Sequence, residues 1–282
     1  MTDPPRAVLS VDFELFEHTP AYRNAAGETT SDGVGLDGGR FLRTAFDEHD
    51  AATTWFVVSA VAEEFPDAVA ALATGEHEIA SHTRTHRLLT DLDPDERDGE
   101  LADSRRTLES ATGERVSGFR APAFDLPADH FEALAAAGYE YDSSVIASRA
   151  IPGWYGGEYD RQRPAPARAV RGDAPEGVCV LPASVMPGLR LPLTGTWLRF
   201  FGPRYTILGM RWLARRGLTP VLYVHPWELV ELPDVAGVPE RVYWHTGAWM
   251  RRAVSRILST GFQFVTAREA LAAADSTNVT HE

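Results

Sequence analysis

Apolar and polar positions follow two rhythms along this chain, and both break near residue 147. Ala7 to Leu15 (AVLSVDFEL) reads as a buried strand, and Leu36 to His49 has helical spacing. Thr53 to Ser59 reads as a strand, followed by a helix from about Ala60 to Ala73. His77 to Ser81 is a short strand. Asp93 caps a helix that starts at Pro94 and runs to about Thr112, where Gly113 ends it. Val116 to Arg120 is a strand, Pro127 to Ala137 a helix closed by Gly138, and Tyr139 to Asp142 the next strand. Such alternation with short connections predicts parallel strands with helical crossovers.

Residues 147–205 are rich in Pro, Gly and Arg and are read as an irregular insertion within a single domain spanning 1–282. Its aromatics include Trp154, Tyr155, Tyr159 and Trp197. Regular structure resumes with a helix at Thr206 to Arg216 and a strand at Thr219 to Val224. A helix at Gly247 to Ser259, a strand at Gln263 to Thr266 and a helix at Ala267 to Ala274 follow. Ser276 to Glu282 reads as a frayed tail.

Composition narrows the picture. No apolar run reaches the length of a transmembrane helix. The N-terminus shows no leader pattern, so the expected location is cytoplasmic. One cysteine, Cys179, excludes an intrachain disulfide and a cysteine metal cage. Net charge is −13, and all 27 cations are arginine. Such a balance disfavours nucleic acid and anionic membrane as partners. It also suggests a salt-accumulating cytoplasm, where self-repulsion is screened.

The candidate chemistry sits at predicted strand ends, the face on which active sites of such barrels gather. Asp12 and Glu14 share one face of the first strand by its period of two. Two buried carboxylates repel unless a cation divides them. His82 and His86 lie four apart on one local turn and can place two imidazoles on one ion. The pair and either carboxylate make a three-ligand site with an open position, and the other carboxylate is free to act as base. Arg120 follows a strand and can reach a carboxylate across the barrel mouth. His225 follows another and can serve as a general acid. Taken singly, each has a bland reading: a surface arginine, a core histidine, an incidental pair.

In order and type, these pieces resemble the polysaccharide deacetylase (NodB-homology) family. The similarity is greatest to a branch with Asp-x-Glu, Gly-Phe-Arg-Ala-Pro, Tyr-Asp-Ser-Ser and His-Pro-Trp-Glu segments. Here these are Asp12 to Glu14, Gly118 to Pro122, Tyr141 to Ser144 and His225 to Glu228. The resemblance implies a distorted (β/α) barrel of about seven strands. It implies a hydrolase that removes N-acetyl groups from an amino sugar in a glycan or glycan precursor. Asp12 would be the base, tuned by Arg120, and His225 the acid. Glu14, His82 and His86 would hold a divalent metal: zinc first, with cobalt, nickel, iron or manganese as alternatives. The backbone N–H of Ala123 would contact the oxyanion, and Trp227 is a candidate sugar platform, as are Trp154 and Trp197. Two departures stand out. Phe13 occupies the position of the family's usual metal-binding aspartate, and Ala123 that of its usual aromatic. The rival expectations are a metal-free hydrolase of a small cyclic amide, allantoinase-like, and a non-catalytic glycan-binding relative.

Overall fold

The computed structural model describes residues 4–26, 32–151 and 156–279. The strands are β1 (Arg6–Phe13), β2 (Thr54–Val57), β3 (Glu78–Ser81), β4 (Gly118–Phe119), β5 (Tyr141–Asp142), β6 (Ala165–Pro166), β7 (Cys179–Val180), β8 (Val221–Val224) and β9 (Gln263–Phe264). The helices are α1 (Pro20–Ala26), α2 (Leu36–Glu48), α3 (Ser59–Glu64), α4 (Pro66–Ala70), α5 (Pro94–Thr112), α6 (His130–Ala136), α7 (Gly195–Phe201), α8 (Pro203–Arg215), α9 (Ala248–Leu258) and α10 (Ala267–Val279).

The sheet runs β6-β7-β5-β4-β3-β2-β1-β8, with β9 on the N-terminal half of β1. Every pairing is parallel except β6 with β7. The curled α/β architecture agrees with the expected distorted barrel, with nine strands among the described residues where about seven were expected.

Strand β1 lies between β2 and β8 and is buried on both faces. Its parity organises the molecule. Ala7, Leu9, Val11 and Phe13 join Leu42, Phe46, Trp55 and Val57 in the main hydrophobic cluster, beneath the helices. Val8 belongs to a second cluster with Phe56, Ala80, Tyr141, Leu181 and Val221. Ser10 and Asp12 continue the Val8 face.

Local signals set many boundaries as read. Helix α5 starts with a capping box between Asp93 and Glu96 and stops at Gly113 in the left-handed region. The single helix expected over 60–73 is broken at Pro66, which lacks the N–H needed to continue it. Helix α10 extends to Val279, beyond the start of the expected tail. Helix α1 carries no buried residue, and no apolar rhythm announced it.

The presumed insertion at 147–205 is in part barrel wall. It supplies β6, β7 and α7. Between β7 and β8, Ala183 N–H donates to Val145 O at 2.9 Å and Ser184 N–H to Val221 O at 2.9 Å. Single bridges join Ile146 to Ala183 and Thr194 to Tyr223. Pairings one or two residues long leave no periodic pattern in sequence, so these pieces read as loop.

Candidate active site

The C-terminal ends of β1, β3, β4 and β8 open into a cleft of about 920 Å³. Asp12, Glu14, His82, His86, Ala123, His225 and Trp227 all line it. Arg120 lies beneath, 1% exposed.

Glu14 falls one residue beyond β1 yet keeps the even parity of Asp12. Its Oε2 lies 2.5 Å from His86 Nε2, and its Oε1 accepts the Trp227 indole N–H at 2.9 Å. Ligand atoms of Glu14, His82 and His86 all lie within 4.8 Å of one another, and all three residues are buried. Asp12 is held apart from this group. Arg120 Nη1 donates to Asp12 Oδ1 at 2.5 Å and to Ser10 Oγ at 3.0 Å. The same guanidinium donates to Ser143 O at 3.1 Å and Ser143 Oγ at 2.9 Å, and lies 4.0 Å over the Phe56 ring.

The His82–His86 segment is a strained loop: Thr83 (φ 66°) and His86 (φ 59°) lie in the left-handed region. Helix α5 clamps it. Glu100 Oε2 accepts the N–H groups of Arg84 and Thr85, each at 2.8 Å, and Ser104 Oγ donates to Thr83 O at 3.0 Å. Arg23 of α1 donates to Thr85 O at 2.7 Å and His86 O at 3.2 Å.

The imidazoles bear directly on metal binding. His82 Nδ1 lies 2.7 Å from Arg120 O, and His86 Nδ1 3.0 Å from His18 O. A carbonyl oxygen only accepts, so each Nδ1 carries the proton and each Nε2 presents its lone pair. Lone pairs facing the buried Glu14 carboxylate are acceptors opposite acceptors. A divalent cation resolves that conflict, so the residues present fit a metal.

Burial lowers His82 to about 4, with Asp12 opposing, so its ring is neutral near pH 7. Burial resists the charge of Glu14, and positive charge beside it, on His86 first when that ring is protonated, holds its carboxyl well below the usual carboxylate range; with the rings neutral, a bound cation would supply that charge. Burial likewise resists the charge of His225, but Glu228, then Glu14 and Asp12, outweigh it and raise the imidazole to about 9.

His225 Nε2 lies 3.7 Å from Glu14 Oε1, and its ring stacks on Trp227 at 5.2 Å. Behind it, Glu228 is fully buried. Glu228 Oε2 accepts the His225 backbone N–H at 2.9 Å and lies 3.3 Å from His225 Nδ1, while Oε1 accepts from Arg199 Nε at 2.9 Å. Space for this group depends on Gly195, where a Cβ would sit 2.0 Å from Glu228 Oε2.

Residues 41–141 match the family described as Polysaccharide deacetylase, and residues 143–272 match a domain of unknown function, DUF3473. The likeness to the polysaccharide deacetylase family is carried by residues 41–141. A peptidoglycan deacetylase-like protein of Gibberella zeae is 36% identical over 92 residues, a match covering 33% of this chain and 27% of that protein. Among solved structures, a protein of Mycobacterium smegmatis described as a polysaccharide deacetylase superposes with a TM-score of 0.68 at 21% identity. That match covers 99% of this chain and 93% of the other. An allantoinase superposes with a TM-score of 0.58 at 19% identity, over 86% and 73%. At these identities the likeness is one of fold.

Within this site, sequence reasoning missed four supports: the His18 carbonyl, Glu100, Arg199 and Glu228. Only Glu228 had a visible signal, in the His-Pro-Trp-Glu segment. The Tyr-Asp-Ser-Ser segment also finds a place. Asp142 accepts from Ser144 N–H at 2.9 Å, Ser144 Oγ accepts from Ala121 N–H at 2.8 Å, and Ser143 binds Arg120. Ala123 (φ 51°) and Phe124 (φ 58°) turn sharply, and Phe124 packs 5.5 Å from Tyr223. That pair supplies an aromatic wall beside Ala123. The Trp227 N–H is committed to Glu14, so only its ring is left for a sugar. Trp197 stacks on Phe201 at 5.6 Å instead of lining the cleft, and Trp154 lies outside the described residues.

Proposed function

We propose that this chain is a metal-dependent hydrolase that removes the N-acetyl group from an amino sugar of a glycan or glycan precursor. The observation that carries the reading is the division of labour between two carboxylates on one strand. Glu14 faces two histidine lone pairs, while Asp12 is held by a buried arginine. A divalent cation, zinc by preference for this donor set, would supply Lewis acidity, making water nucleophilic near neutral pH and polarising the amide carbonyl.

Glu14, His82 and His86 would hold that cation. Asp12, oriented by its hydrogen bond from Arg120, takes the proton from the attacking water. The backbone N–H of Ala123 faces the developing oxyanion. His225, across the site and backed by Glu228, donates a proton to the departing nitrogen. Water and amide thereby become acetate and free amine. The rings of Phe124, Tyr223 and Trp227 offer apolar surface to the sugar.

The same fold in an allantoinase raises the metal-free alternative. Facing lone pairs in a buried triad argue against it. The deciding experiment is metal analysis of the purified chain, with acetate release from N-acetylglucosamine oligosaccharides. One equivalent of metal and measurable acetate are expected, both lost in His82→Ala/His86→Ala. Acetate release by metal-free protein, or unchanged activity in that variant, overturns the assignment.

A further inference from the structure

Charge on this acidic chain is segregated. From Gly177 to Trp227 there are six arginines and no Asp or Glu, and from Arg241 to Arg268 there is again no carboxylate. The fold brings the helices of these two stretches together, because α8 packs against α9. On α8, Arg204, Arg211, Arg215 and the following Arg216 are exposed. On α9, Arg252 and Arg256 are exposed. Among the described residues none of the six makes an ion pair; elsewhere on the surface Arg40, Arg84, Arg87, Arg106 and Arg115 do, while Arg6, Arg149, Arg163 and Arg241 are scattered arginines that do not.

Between these arginines runs an apolar stripe. Leu208 is 56% exposed and Trp212 45%, one turn apart on α8. Phe201, 50% exposed, extends it at the end of α7, with its ring 4.9 Å from Tyr205. Large apolar side chains flanked by unpaired arginines are expensive to leave in water and have the composition of an interfacial helix. Beside the stripe, a pocket of about 380 Å³ is lined by Arg211, Arg215, Thr260 and Phe262.

We propose that the α8–α9 face docks on an anionic lipid bilayer. Leucine and tryptophan enter the acyl–headgroup boundary, and the arginines reach lipid phosphates. The apolar stripe selects a bilayer over a nucleic acid, which offers phosphates but no apolar layer to receive Leu208 and Trp212. The inference reverses what net charge alone suggests. The global −13 sits elsewhere on the surface, and a docking face responds to the local field. Helix α7 joins the two regions, since Thr196 and Phe200 line the catalytic cleft while Phe201 begins the stripe. A glycan carried on a lipid anchor would therefore reach the cleft from the docked face.

The test is vesicle flotation without substrate, at the lowest salt at which circular dichroism shows a folded chain. Vesicles are phosphatidylcholine alone or with one-third phosphatidylglycerol. Binding to the anionic vesicles alone is expected, with a blue shift of tryptophan emission that Trp212→Ser removes. Arg211→Glu/Arg215→Glu should weaken binding by about thirtyfold or more. Leu208→Ser/Trp212→Ser should weaken it at high salt too, and Arg106→Glu on α5 should not change it. Absence of binding to anionic vesicles overturns the proposal, as does wild-type binding by both double variants. A preference for duplex DNA, or a dimer abolished by Leu208→Ser/Trp212→Ser, overturns it as well. Vesicle binding is read without catalysis, so its failure leaves the deacetylase reading standing.

Discussion

Replacing Arg120 by Met removes the buried cation beneath the cleft while keeping most of its volume. The guanidinium donates four hydrogen bonds, to Ser10, Asp12 and twice to Ser143, from a site 1% exposed. Asp12 would then be a buried carboxylate without its counter-ion. Leaving one charge of a buried pair unpartnered costs about 3–5 kcal/mol. That is a large part of the roughly 5–15 kcal/mol that stabilises a typical domain. Removing both charges, in Asp12→Asn/Arg120→Met, should cost less than the sum of the single changes, with a coupling of about 2–3 kcal/mol. The assay is urea unfolding followed by circular dichroism at constant salt, on wild type, both single variants and the double. Metal content serves as a second readout. Because Asp12 lies outside the Glu14, His82 and His86 group, folded Arg120→Met should still bind one metal ion while losing acetate release. A cost below about 1 kcal/mol for Arg120→Met, or strict additivity in the double variant, would refute the reasoning.

Other outcomes follow from the same contacts. Gly195→Ala would place a Cβ 2.0 Å from Glu228 Oε2 and should displace the support of His225, lowering kcat with little change in KM; Gly172→Ala, which meets nothing within 4 Å, should be neutral in both stability and rate. Burial lowers the pKa of His77, whose ring packs at 6.0 Å against both Phe46 and Trp55. A histidine depressed in the folded state contributes its full stability above its unfolded pKa of about 6.5. Stability should therefore fall as pH drops from there toward the folded value, and His77→Leu should flatten the dependence of Tm on pH between 7 and 5. A Tm slope equal to wild type would count against a His77 held neutral between Phe46 and Trp55. Finally, a chain of net charge −13 should gain Tm as potassium chloride rises, and a salt-independent Tm would remove the salt-adapted reading.

How much of the site was legible differed from residue to residue. Asp12 and Glu14 could be paired because the period of a strand is local, and the pairing survives although β1 ends at Phe13. The histidine loop was visible as a motif, but not its left-handed turns or its anchor on Glu100, which lies 15 residues from Thr85 and makes no pattern with it. Arg120 was identified as a strand-end cation able to reach a carboxylate. Its partner Asp12, 108 residues away, was named through family resemblance. Trp227 was read as a sugar platform, yet its indole N–H serves Glu14.

By itself the sequence determined the elements whose signals lie within a few residues: the double-faced burial of β1, the capped ends of α5, the strand-end placing of Asp12, His82, Arg120 and His225. Only the tertiary structure decided which histidine nitrogens face Glu14, how one- and two-residue pairings near 183 and 194 bridge β7 to β8, and how two carboxylate-free helices come to pack together. The reason is physical. Periodicity and capping are properties of neighbouring residues. By contrast, the proton on each histidine, the counter-ion of Asp12 and the basic α8–α9 surface depend on backbone carbonyls, buried side chains and packing between segments distant in the chain. Such contacts leave no periodic trace in the order of residues.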